Sequence, residues 1–415
     1  MTVTDVTSTS LTKANGLGTA TMPTRLYTDP AHFDLEVEQV FRRAWLKVGR
    51  VEQIPLPGDF FVKKIEMFSA SIVITRSKNG EVRALHNVCS HRGNHVVLEE
   101  KGNASRFTCR YHSWTYRNTG ELIGVTDPSG FFDLDKAKCG LTPVAVDVWD
   151  GWIFINMQPK PEVSLLEFLG PLADALAGIA YPHPENAIIL TGEFKANWKA
   201  VADAFSESYH LSSIHPKTLA PIYAGRDNPY SRPVSANIYG AHRSFSTWLN
   251  TSYQTPEKAK VERWIYPVME TITGTRKEGE VNPLVEHPGI NPSKSESWAS
   301  DATWVFPNWN LQISANRFWN HEIWPTSVNT TRWEGRFYLP IATSVRERIQ
   351  LEHFTAQMTD AMLEDLSNIE RTQEGMESGA KPFLILQDSE ILIRHNLETI
   401  VKWCASTRVA AALNS

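Results

Sequence analysis

Cysteine is scarce in this chain, with 4 in 415 residues. That is too few to staple a secreted scaffold, and it points to a reducing, cytoplasmic compartment. No run of about eighteen uncharged apolar residues occurs, so no segment is expected to span a membrane. Positive charge is not in excess. Lys plus Arg number 41 against 46 Asp plus Glu, a net charge of −5, so the basic footprint of a nucleic-acid-binding protein is missing. No G-x-G-x-x-G follows a strand pattern, so the usual nicotinamide or flavin fingerprint is absent. Residues 1–20 are rich in Thr and Ser without an apolar core, which excludes a signal peptide. With 42% apolar and 21% charged residues, the chain is neither disordered nor a coiled coil as a whole. What it has in quantity is Trp (14) and His (13).

The length is that of two domains. Residues 1–28 read as a flexible tail. A short amphipathic helix is expected over 29–44, with Phe33, Val37, Val40, Phe41 and Ala44 on one side. Short β runs then follow at 60–65, 71–76, 106–111, 144–149 and 152–157, punctuated by Gly and Asn turns. They define an antiparallel β module over 45–158. Past Gln158 and Pro159 the composition shifts. Ser164 with Glu167 reads as a capping box for a helix running to about residue 179. Residues 159–415 are expected to form an α+β domain.

Two constellations carry chemistry. In the first, Cys89 and His91 are separated by one residue, and Cys109 and His112 by two; residues 92–108 intervene. Cys₂His₂ is also a zinc set, but zinc spacing usually keeps the two Cys in one pair and the two His in another. Pairs that each mix a thiol with an imidazole suit a [2Fe–2S] cluster in which one iron takes two thiolates and the other two imidazoles.

In the second, residues 197–210 read as a helix on which Asp203, Glu207 and His210 share a face. His215 would leave that face on a straight helix. Pro216 pushes it out of the α region, so the helix is expected to end near Leu211 and His215 to turn back towards His210. A non-haem Fe(II) site adds one carboxylate to two imidazoles. In the long helical pattern at 351–379, Phe354, Met358, Ala361, Met362, Ile369 and Met376 form an apolar stripe, with Asp365 in its middle. A buried carboxylate is costly unless it is paired or bound to a metal. Iron or a buried Arg would satisfy it. The aromatic residues Trp304, Phe306, Trp309, Phe318, Trp319, Trp324, Trp333, Phe337 and Tyr338 are candidates for strand core or for pocket walls. Arg317 or Arg332 is a candidate partner for a single carboxylate.

With Cys89-Ser90-His91-Arg92-Gly93 and Cys109-Arg110-Tyr111-His112-Ser113-Trp114-Thr115-Tyr116, the sequence resembles the Rieske pattern. Ser113 departs from it, since Gly is usual there. With Asn197-Trp198-Lys199, Glu207, Tyr209-His210, His215 and Glu364-Asp365 followed by Gln373, nearly the whole chain resembles the large subunit of Rieske non-haem iron oxygenases, the ring-hydroxylating alpha subunits. Ala204 departs, as Asn is common there.

The resemblance implies an N-terminal antiparallel β Rieske domain and a catalytic domain with an antiparallel sheet flanked by helices, of the helix-grip type. It implies one [2Fe–2S] cluster per chain on Cys89, His91, Cys109 and His112, and one mononuclear Fe(II) on His210, His215 and Asp365. Glu207 would bridge His210 to His112 of the partner subunit in a homotrimer, with or without a small β subunit. A ferredoxin, an NAD(P)H-dependent reductase, or both would supply electrons. The expected reaction is dihydroxylation or monooxygenation of an apolar, cyclic or aromatic compound by O₂, in catabolism. N- or O-demethylation is the alternative within the family. An electron-transfer protein or a zinc-stabilised binding protein is the alternative outside it.

Overall fold

The computed structural model describes residues 10–265, 283–315 and 317–413. Contacts divide the chain into two compact units, one formed by Val37–Phe168 with Arg408–Ala410 and the other by the remaining residues.

The first unit is the β module. Its larger sheet is antiparallel, in the order Trp45–Arg50, Trp152–Asn156, Pro143–Trp149, Val82–His86, Ala70–Arg76, Asp59–Ile65, Lys101–Asn103. A smaller sheet orders Arg106–Thr108, Thr115–Arg117 and Leu122–Gly124. The unit starts earlier than residue 45. A π-helical turn at Val37–Phe41 contributes Val40 and Phe41, both wholly buried. Ser164 does cap the helix Leu165–Leu169, with Glu167 returning the bond. That helix ends before residue 179, because Gly170 takes φ 51 and Pro171 starts a separate helix, Pro171–Leu176.

The second unit is built on a seven-stranded antiparallel sheet in the order Ala187–Phe194, Thr330–Tyr338, Phe318–Ser327, Trp309–Ser314, Trp298–Val305, His242–Trp248, Ser235–Tyr239. Its longest helix, Val345–Glu377, starts at a capping box of Ser344 and Glu347. Phe354, Ala361, Met362, Asp365, Ile369, Gln373 and Met376 are its buried residues, the face set by the apolar spacing. Burying each of the larger apolar side chains is worth roughly 1.5–3 kcal/mol, so this stripe fixes how the helix is rotated and thereby where Asp365 points.

The expected flexible tail is corrected over residues 10–28. Met22–Pro23 pairs antiparallel with Phe383–Leu384, and Leu26 and Tyr27 are 3% and 1% exposed. Asp388 accepts from Ser10 Oγ and from the amides of Leu11 and Thr12. Partners more than 350 residues downstream hold this segment, and local composition carries no trace of them. Residues 1–9 of that tail lie outside the described residues.

The expected helix over 197–210 is also corrected. It spans only Trp198–Asp203, and a second short helix, Leu211–Ile214, follows a non-helical stretch. Asp203 therefore parts from Glu207 and His210. Its Oδ2 accepts from the Tyr27 hydroxyl at 2.6 Å, while burial pushes its pKa up to about 7. Among the described residues, no helix is long and apolar enough to cross a membrane.

Candidate active site

Two loops of the β module place the first donor set. In one, the Cys89 amide donates to the Asn94 carbonyl and the Gly93 amide to the Cys89 carbonyl; in the other, Cys109 donates to Trp114 and Ser113 to Cys109. The loops are thus the same turn built twice. In each, the fourth residue after the Cys has a positive φ, 77° for Gly93 and 57° for Ser113. This accounts for the usual Gly at position 113, since a side chain there costs about 1–2 kcal/mol in the left-handed region. Cys89 and Cys109 are both buried, and the His91 and His112 rings lie 4.6 Å apart between centroids.

These residues fit a cluster of the Rieske type. Nδ1 of His112 is buried with no partner among the described residues, which leaves it free for a metal. The Tyr116 hydroxyl accepts from the Ser90 amide at 3.0 Å and lies 3.2 Å from Cys89 Sγ. Burial and Cys89 push the Tyr116 pKa up, so its proton stays available to the sulfur. Burial opposes the Cys109 thiolate, yet the Tyr111 and His112 amides bring its pKa down overall. Tyr116 acts on the sulfur from 27 residues beyond Cys89, a contact that motif spacing does not reveal.

The second donor set comes together from three segments. His210 precedes the helix Leu211–Ile214, and His215 ends it at φ −112 and ψ 43, outside the α region that the following proline disfavours. Asp365 Oδ1 lies 2.8 Å from Nε2 of His215 and 3.5 Å from Nε2 of His210. One donor atom from each of the three lies within 4.8 Å of the others. Both rings are held from behind. Nδ1 of His215 meets Glu364 Oε2 at 2.7 Å, and that oxygen also accepts from Thr218 Oγ1. Nδ1 of His210 meets Glu207 Oε1, and Glu207 Oε2 accepts the His210 amide at 3.1 Å.

A metal-binding imidazole characteristically gives its other nitrogen to a carboxylate, which fixes ring and tautomer. With two imidazoles and one carboxylate sharing a point, the site fits a mononuclear iron. Burial works against charge on both rings, but Glu207 on His210 and Asp365 on His215 outweigh it and raise both pKa values. A bound metal would displace those protons. Gln373, read with Glu364 and Asp365, does not join the donors. Its Oε1 accepts from the Asn197 amide at 3.0 Å, tying the long helix to the start of Trp198–Asp203.

A cavity opens beside the three donors. Of the aromatic residues singled out between 304 and 338, Trp319 is the one lining it; Phe205, Tyr223, Phe245 and Phe354 supply the other aromatic walls. Strand alternation accounts for part of this: Trp319 faces the cavity, whereas Phe318 turns to the opposite side and stacks on Tyr338 at 4.2 Å. Phe337 pairs with Trp319 and shares its face but does not line the cavity. Arg317 lines the cavity with its guanidinium 4.1 Å from the Phe354 ring centre, whereas Arg332 does not line it. Ala204 lines the cavity with no polar side chain.

An antiparallel module with a Cys/His tip, joined in one chain to a sheet-and-helix unit that brings two imidazoles and a carboxylate together, is the domain arrangement of Rieske alpha subunits. The chain belongs to the ring-hydroxylating alpha subunit family, whose catalytic-domain model matches residues 174–406. The Rieske [2Fe–2S] domain model matches residues 44–137.

The chain is 32% identical over 223 residues to the oxygenase subunit of glycine betaine monooxygenase from Chromohalobacter salexigens, covering 53% of this chain and 49% of that one. It is 32% identical over 199 residues to the alpha subunit of toluate 1,2-dioxygenase from Pseudomonas putida, covering 46% and 43%. The matches thus span about half the length of these curated relatives. A crystal structure of a quaternary ammonium Rieske monooxygenase superposes with a TM-score of 0.72 over 92% of this chain and 95% of that one, at 20% identity, and so shares the fold.

Proposed function

We propose that this chain is the terminal oxygenase component of a multicomponent Rieske system. Cys89, His91, Cys109 and His112 would hold the [2Fe–2S] cluster, and His210, His215 and Asp365 the mononuclear Fe(II). When bound, the cluster would supply electrons and the iron would activate dioxygen for insertion into an organic substrate. The observation that carries the reading is the convergence of His210, His215 and Asp365 beside a cavity, with a carboxylate behind each imidazole.

The chain's own residues do the rest. Glu364 and Glu207 keep the Nε2 atoms of the two rings aimed at one point. Phe205, Leu211, Phe354 and Met362 keep water from the reacting centre and hold the apolar body of a substrate. Substrate is read as a compound with an apolar, cyclic or aromatic body. A second reading, oxidative demethylation of a quaternary ammonium compound, is favoured by the aromatic faces of Tyr223, Phe245 and Trp319, which suit a cation. A ferredoxin or reductase would be the electron donor and a homotrimer the working assembly.

Iron and acid-labile sulfide analysis of the purified protein tests the reading, together with its visible spectrum. About three irons and two sulfides per chain are expected from one two-iron cluster and one mononuclear site. Asp365→Ala should lose one iron and all product formation while keeping the cluster spectrum. A colourless zinc protein, or full activity in Asp365→Ala, would overturn it.

A further inference from the structure

Strand Phe318–Ser327 carries His321 near its middle. The side chain is wholly buried, yet it belongs to the wall of the cavity. Phe205 stacks on it with centroids 4.2 Å apart and 14° between the planes. From the neighbouring strand, Nε1 of Trp333 lies 3.2 Å from Nδ1 of His321. An indole nitrogen can only donate, so Nδ1 accepts and the proton of the neutral imidazole sits on Nε2. Burial keeps the ring neutral, pushing its pKa down to about 3.

A glycine makes this arrangement possible. Gly335 pairs directly with His321 across the ladder, and a Cβ added there would lie 2.6 Å from Cζ2 of Trp333. The missing side chain is the room the indole occupies. Three residues on adjacent strands therefore fix one tautomer, and they leave Nε2–H without a hydrogen-bond partner among the described residues. A buried donor without an acceptor is costly, and one that lines a cavity can be satisfied by what enters it.

We propose that His321 is a specificity-determining hydrogen-bond donor that selects substrates carrying a carbonyl or carboxylate oxygen on their apolar body. Trp333 is a positioning residue that acts through it by setting the tautomer. The inference rests on the oxygenase reading only in taking this cavity for the substrate's. It narrows the class, because a bare hydrocarbon would leave Nε2–H unanswered. The rival acceptor is Oδ1 of Asn310, which stands across the ladder from His321 and itself has no partner among the described residues. If a water joined that pair, ligands with and without an oxygen would bind alike.

Calorimetric titration of the iron-loaded protein with benzoate, acetophenone and ethylbenzene separates the two. At least one of the oxygen-bearing probes should bind about fivefold or more tighter than ethylbenzene, the low end of the cost of leaving a buried donor unsatisfied. His321→Phe keeps the stack on Phe205 and should remove that preference without weakening ethylbenzene. His321→Gln, which retains a donor, should keep the preference, and Trp333→Phe should reduce it. No preference in the native protein, or an unchanged preference in His321→Phe, overturns the inference. Should His321→Phe fail to fold, the native preference and its reduction in Trp333→Phe decide. Iron content and the cluster spectrum of the same samples test the oxygenase reading separately: metal centres present without any preference refute this inference alone.

Discussion

Oε2 of Glu364 lies 2.7 Å from Nδ1 of His215, although 149 residues separate the two in the chain. The next residue, Asp365, reaches the opposite nitrogen of the same ring at 2.8 Å. Two consecutive residues of one helix thus grip both nitrogens of one imidazole, one as a candidate iron ligand and the other as its orienter. Glu364→Gln should lower iron affinity about 10- to 100-fold, the usual cost of losing such a partner, while the cluster spectrum stays. Titration of the iron-depleted protein with Fe(II) measures this, and unchanged affinity would show that Glu364 does not orient the ligand.

Glu207 holds His210 in the same way but lies three residues before it in sequence, which leaves its second role to be tested. If it carries electrons towards His210, Glu207→Gln, loaded with excess Fe(II) so that both metal centres are filled, should slow reoxidation of the chemically reduced cluster by at least about tenfold, equivalent to about 1.4 kcal/mol. Stopped-flow absorbance of the cluster reads this. Normal single-turnover kinetics would confine Glu207 to holding the ring.

Ser113 occupies a left-handed position that Gly93 fills in the matching loop. Ser113→Gly removes a penalty of about 1–2 kcal/mol and adds roughly 0.5–1 kcal/mol of chain entropy lost on folding. The first term wins, so the variant should be more stable by about half to one kcal/mol. Denaturant unfolding followed by the cluster absorbance checks this; a destabilised variant would mean the serine side chain has a role of its own.

Asp203 titrates at about 7 because burial disfavours its charge, with Tyr27 and Arg243 opposing. A carboxyl pKa raised above its unfolded value means that the native state binds the proton more tightly. Stability is then full below about pH 4 and is lost as pH rises towards 7. Asp203→Asn has no such proton. Its stability minus that of the native protein should therefore increase between pH 5 and pH 8, whatever the offset from losing a counter-charge to Arg243. Thermal melts at the two pH values measure it, and a pH-independent difference would place the Asp203 pKa near its ordinary value.

The residues of both candidate donor sets are marked in the sequence by local signals. One or two residues between Cys and His fit a tight loop, a proline after His215 bends the backbone, and a 3.6-residue apolar period marks Asp365 as buried. Where geometry depends on which strand or segment comes to lie alongside, the sequence is silent. The docking of residues 10–28, the break after Asp203, the choice of Trp319 over its aromatic neighbours as a wall, and the Gly335–Trp333–His321 arrangement are all of that kind. Sheet pairing and burial against distant residues decided them, because alternation along a strand assigns a residue to one of two faces but does not say which face will meet the cavity.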